Sequence, residues 1–225
     1  MTDRGSGWGV GEGTADATVA DATVPAALRA GAALFNEGHV LAAHDPWEAA
    51  WLPLAEGSDE RLLHGLIAAA AATHHASARN WSGAVGCAGN AVEYLDGVGP
   101  APRGVEVAPV RDWCHRLAID PEAIERASPP TLRLDGTAPR FGDLDLSAAL
   151  LAAPALAGAV APASAGTLET AAELAREERG TGRTTFAELL FAFLRAPDAR
   201  PQVAARLADR VELAERKRRD VDDLF

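Results

Sequence analysis

Apolar positions along this 225-residue chain recur every three or four residues, and no run alternates β-branched with polar residues. Helices are therefore the expected elements throughout. In "PAALRAGAALFNEG", residues 25–38, Leu28, Ala32 and Phe35 share one helical face, Pro25 suits a first turn, and Asn36 and Gly38 supply a stop. A second helix takes all or part of "HVLAAHDPWEAAWLPL", a third runs from Asp59 to about Arg79, and a fourth from Trp81 to Gly97. Beyond "GVGPAPRG", residues 97–104, the pattern predicts one helix in "VRDWCHRLAID", a short one in "PEAIERA" and an extended connection in "PPTLRLDG". Residues 144–161, 165–179, 184–195 and 198–219 then read as further helices.

The expected architecture is all-α and multihelical: an N-terminal antiparallel helix bundle with additional C-terminal helices packed on it. Residues 1–23, rich in Gly, Thr, Asp and Ala, read as a disordered tail. Residues 24–98 form the first unit and residues 99–225 the second, a helical C-terminal region. The most apolar window, "LSAALLAAPALAGAVAPA", is interrupted by Pro154 and Pro162 and falls short of the ~20 residues a membrane span needs, so it reads as a buried helix.

Charge narrows the partners. The net charge is -11, with 21 basic against 32 acidic side chains, a field that repels nucleic acid and anionic membranes. Lys217 is the sole lysine. An acidic, lysine-poor, alanine-rich chain points to a salt-adapted, halophilic source. Cys87 and Cys114 form neither a disulfide framework nor a CxxC metal pair, so both are expected as core thiols in a reducing cytoplasm.

Chemistry concentrates in "HDPWEAAW", residues 44–51. Asp45 as N-cap, Pro46 at the first helical position and Glu48 three residues after the cap match a capping box. The same residues also serve a site, because His44, Glu48 and Trp51 stand at i, i+4 and i+7 on one face. An antiparallel turn at "LAEGSD" would set Glu48 opposite His64, Trp51 opposite Arg61 and His44 opposite Ala68. His75 lies eleven residues beyond His64, about 16 Å along a helix, so only one of the two can join His44 at a metal ion. "AAAAA", residues 68–72, would let helix backbones approach closely.

These residues carry a family resemblance. "ALFNEGHVLAAHDPWEAAW" followed by "HGLIAAAAATHHASARNWSGA" resembles the domain of unknown function 309 (DUF309), whose pattern runs F-N, then H-E-x-x-E-x-x-W, then Q-G-L-I and H-x-x-x-G-N-x-x-G-A. Phe35, Asn36, His44, Glu48 and Trp51 match the first part. Gly65, Leu66, Ile67, His75, Asn80, Gly83 and Ala84 match the second. The resemblance covers residues 28 to about 97. Asp45 replaces a glutamate, His64 a glutamine and Arg79 a glycine. It implies an all-α bundle and no particular reaction.

Two functions compete on this evidence. In the first, His44, Glu48, Trp51, His64, His75 and Asn80 build a polar site for a small ligand, with His44, Glu48 and His64 able to hold a divalent transition metal such as zinc or ferrous iron. Without metal, the same imidazole and carboxylate can exchange protons with a ligand. In the second, the groups form a satisfied network that fixes helix packing, and the protein acts through its surface or as a homo-oligomer. The C-terminal Val221, Leu224 and Phe225 form a further candidate, a short peptide for a partner protein.

Overall fold

Helical periodicity is realised almost wherever the chain carries it. The computed structural model describes residues 13–222, with α1 (Gly13–Asn36), α2 (His44–Trp51), α3 (Ser58–Ser77), α4 (Trp81–Asp96) and α5 (Val107–Ile119). It continues with α6 (Leu146–Val160), α7 (Ala165–Glu178), α8 (Thr185–Arg195) and α9 (Arg200–Asp222). "PEAIE" winds into a short 3-10 turn at Pro121–Glu125. The only β pairing among the described residues is two isolated bridges, Val105 to Leu134 and Leu134 to Thr137. Asp135 and Gly136, both at positive φ, make the tight turn between the latter two.

Two expectations need correction here. Residues 13–23 are helical rather than part of a tail, and Pro25 lies inside α1 instead of opening it. Ala15, Ala17, Ala20 and Ala22 favour helix by intrinsic propensity without an apolar stripe to announce it. The second correction concerns Asp45, which does not cap α2. The chain enters that helix already in right-handed conformation at Ala43 (φ -63°, ψ -22°), and no side chain caps it. Asp45 and Pro46 both fall in the first turn, where a proline's missing N–H leaves no intrahelical bond unmade.

One hydrophobic core runs through both halves of the chain. α3 packs chiefly on α4 and α2, α5 lies on α4 and α3, and α6 joins the second half to α1 and α2, with α7, α8 and α9 beyond it. Small residues set these spacings. Trp47, 1 % exposed, lies directly on Gly31 of α1, where any Cβ would collide with the indole. Its Nε1–H has no partner among the described residues. Burying an indole of ~150–250 Å² contributes about 4–6 kcal/mol, against about 1–3 kcal/mol for the orphaned donor, so burial wins. Thr73 Oγ1, fully buried, donates to the Ala69 carbonyl (2.8 Å) and accepts from Trp113 Nε1 (3.0 Å), fastening α5 to α3.

The joint between α3 and α4 explains half of the sequence motif. Arg79 adopts φ 57°, its N–H meets the Ala76 carbonyl (3.0 Å), and Asn80 N–H meets the His75 carbonyl (2.8 Å), a Schellman ending. Asn80 then caps α4, its Oδ1 accepting from Gly83 N (3.1 Å) while Nδ2 lies 3.2 Å from His75 Nδ1. A Cβ on Gly83 would crowd both Asn80 and His75. Asn36 plays a similar part at the end of α1. Its side chain donates to the carbonyls of Leu132 and Pro139 and accepts from Leu132 N–H, stapling the connection before α6 to the bundle.

Arg79→Gly tests this joint. A left-handed L-residue costs about 1–2 kcal/mol, whereas the exposed Arg79–Glu125 pair returns at most about 1 kcal/mol. The variant should therefore gain roughly 1 kcal/mol, and Tm measured by circular dichroism should rise by about 2–4 °C. A fall in Tm would contradict the strain.

Candidate functional site

The predicted site residues separate into three places. His44 and Glu48 pair along α2, Nδ1 to Oε2 3.7 Å, on the half-exposed side of the helix. His75 and Asn80 belong to the α3–α4 joint. Trp51 and His64 come together, their ring centroids 4.7 Å apart.

The contact between α2 and α3 is shifted by about one turn from the expected register. Trp51 at the end of α2 meets His64, and the carboxylate that lies against the imidazole is Glu60, four residues earlier on α3, while Glu48 lies against His44. Among the described residues, no three His, Cys, Asp or Glu side chains gather closely enough to hold a metal ion; His44 lies against Glu48, and His64 against Glu60. α2 contributes its terminal aromatic where a carboxylate was expected.

What the fold does assemble is a compact polar and aromatic cluster. Glu60 Oε1 accepts from Trp51 Nε1 at 2.9 Å and faces His64 Nδ1 at 3.4 Å. Tyr94 of α4 stacks on the imidazole, centroids 3.8 Å apart and planes 24° from parallel. The side chains of Glu60 and His64 are 18 % and 30 % exposed, so the pair is sheltered yet open to solvent. Because an ionised carboxylate only accepts hydrogen bonds, the contact with Glu60 requires the hydrogen on Nδ1. A neutral imidazole so held carries its lone pair on Nε2.

Backbone geometry places each member. Ser58–Ser77 is an uninterrupted helix, which sets Glu60 and His64 one above the other at i and i+4. Gly65 lets α4 close on α3: a Cβ there would stand 2.6 Å from Leu95 Cδ2 and 3.3 Å from Tyr94 Cβ. That approach is what brings Tyr94 onto His64. Glu60 and Tyr94 were not among the expected site residues. His64 and Tyr94 stand equally far from Arg79, so the same antiparallel arithmetic applied to the α3–α4 joint finds the tyrosine.

On the opposite flank of α2 lies a separate cavity of ≈ 390 Å³, walled by Pro46 and Ala49, by Leu151 and Pro154 of α6, and by Glu169 and Glu173 of α7. Asp45 stands at its edge with a raised pKa. Withdrawal from water is the main cause; His44 opposes it, while Glu48 and Glu169 add to it. The cysteines take no part in either place. Burial pushes the Cys114 thiol up to about 12 and raises that of the partly buried Cys87, so neither supplies a ready thiolate. Val221 lies in the last turn of α9, and Leu224 and Phe225 fall outside the described residues. No helix among the described residues is long and apolar enough to cross a membrane.

Residues 28–87, from within α1 to the first half of α4, match the family described as "Domain of unknown function (DUF309)". No curated protein matches the chain. Trp51, Glu60 and His64 lie inside the matched residues, and Tyr94 lies beyond them.

The Asp45 environment makes a signed prediction. Its folded pKa is raised, so its contribution favours folding below the ordinary carboxylate range and turns unfavourable as pH climbs through the raised value. Asp45→Asn should therefore gain in Tm relative to the parent protein between pH 3 and pH 7, as shown by thermal melts across that range. A difference that moves the other way would contradict it.

Proposed function

We propose that this protein binds a small molecule at the Trp51, Glu60, His64 and Tyr94 cluster, with His64 Nε2 as the group that meets it. The observation that carries this reading is the sharing of one carboxylate oxygen, Glu60 Oε1, between Trp51 Nε1 and His64 Nδ1. Anchored by the indole, Glu60 orients the imidazole and leaves its second nitrogen as an acceptor. Trp51 and Tyr94 add flat apolar surface beside it. Such a site suits a ligand with a hydroxyl or N–H donor next to an apolar or aromatic group. The same arrangement can remove a proton from that donor, which makes general-base chemistry the reaction class open to it.

A structural role has its own supporting observation. The Trp51–Glu60 bond bridges α2 to α3, and the His64–Tyr94 stack bridges α3 to α4. In that reading the cluster is a three-helix clasp, and the protein works elsewhere on its surface.

Two variants and a fragment screen separate the readings. Glu60→Ala leaves Trp51 Nε1 and the imidazole unpaired and should cost about 1–3 kcal/mol of stability under either. The binding reading further expects aromatic alcohols or amides to shift the NMR signals of His64 and Tyr94, and folded His64→Ala to bind them roughly ten-fold more weakly. A screen in which no such fragment touches these resonances would leave the clasp as the function.

A further inference from the structure

We infer that the cleft between α7, α8 and α9 is a binding site for a small organic phosphate, independent of the cluster on α3. Two adjoining cavities of ≈ 240 and ≈ 310 Å³ share Arg183, Lys217, Glu178 and Phe186 as lining. Arg210 lines the first as well. Arg183, Arg210 and Lys217 are exposed, and among the described residues none has an ion pair or hydrogen bond through its side chain.

That grouping runs against the chain's own charge. Acidic side chains outnumber basic ones by 32 to 21, and arginines elsewhere find carboxylates readily, as Arg111 does with Asp96 and Arg140 with Glu37. Three unpaired cations around one cleft repel each other and add nothing to packing. Two carboxylates, Glu177 and Glu178, line the cavities against four cations, Arg183, Arg210, Lys217 and Arg218, so positive charge stays in excess. Glu178 accepts from the Phe186 backbone N–H (3.3 Å) at the start of α8, and Glu177 is paired with Arg218.

The geometry also fits an anion with an apolar arm. Arg210, Leu213, Ala214 and Lys217 occupy i, i+3, i+4 and i+7 of α9, one continuous face. Leu213 is 42 % exposed, an apolar side chain set between two cations. Arg183 approaches from the turn between α7 and α8, where Gly180 and Gly182 both take positive φ. Guanidinium and ammonium groups converging from two elements suit a dianion with several acceptor oxygens, and Phe186 and Leu213 suit the group that carries it.

Titration of the full chain with phenyl phosphate and with inorganic phosphate, at one fixed ionic strength, tests the assignment. Phenyl phosphate should bind one-to-one and more tightly than inorganic phosphate. Arg183→Gln and Lys217→Gln should each weaken binding roughly five- to ten-fold with unchanged melting. Arg116→Gln, on distant α5, should leave it unchanged. Absence of saturable binding, equal affinity for both probes, or equal weakening by all three variants would overturn the site.

Discussion

The close approach of α4 to α3 at Gly65 is the constraint on which the site depends. The helix surface there is bare, so Leu95 and Tyr94 settle where a methyl group would otherwise stand. Once α4 is that close, the Tyr94 ring has the imidazole of His64 as its neighbour. The buried alanines from Ala68 to Ala70, with Ala72, continue the same shallow surface along α3, and Thr73 ends it with a bond to Trp113 of α5. Helix α3 is thus the element against which α2, α4 and α5 all pack.

Several of the polar and small residues in and around the matched stretch serve the packing itself. Asn36 ties a remote loop to the end of α1, Gly83 gives room to Asn80 and His75, and Asn80 starts α4. Asn36 and Asn80 each engage both atoms of their amide in these bonds. His64 and Glu60 differ, because their bonds leave one imidazole nitrogen uncommitted at a partly open surface. His64 is thereby held in one orientation by its neighbours Glu60, Trp51 and Tyr94.

The helices were legible because their apolar spacing is local information, and α3 to α9 fall close to where that spacing puts them. The first turn of α2 was not, since "HDPWE" satisfies the letter of a capping box while the preceding backbone is already helical at Ala43. The start of α1 was hidden for a related reason: alanine propensity sustains a helix without the stripe that periodicity detects. At the site, the meeting of α2 with α3 was legible and its register was not. A six-residue connection between Trp51 and Ser58 leaves a full turn of freedom, and the structure uses it to place Trp51, not Glu48, against His64.

The central claim is that Glu60 fixes which nitrogen of His64 carries the hydrogen. Long-range proton–nitrogen NMR of the ¹⁵N-labelled imidazoles, at a pH where His64 is neutral, reads this directly. The account predicts the Nδ1–H tautomer with a bare Nε2. An Nε2–H tautomer, or rapid averaging of the two forms, would contradict it.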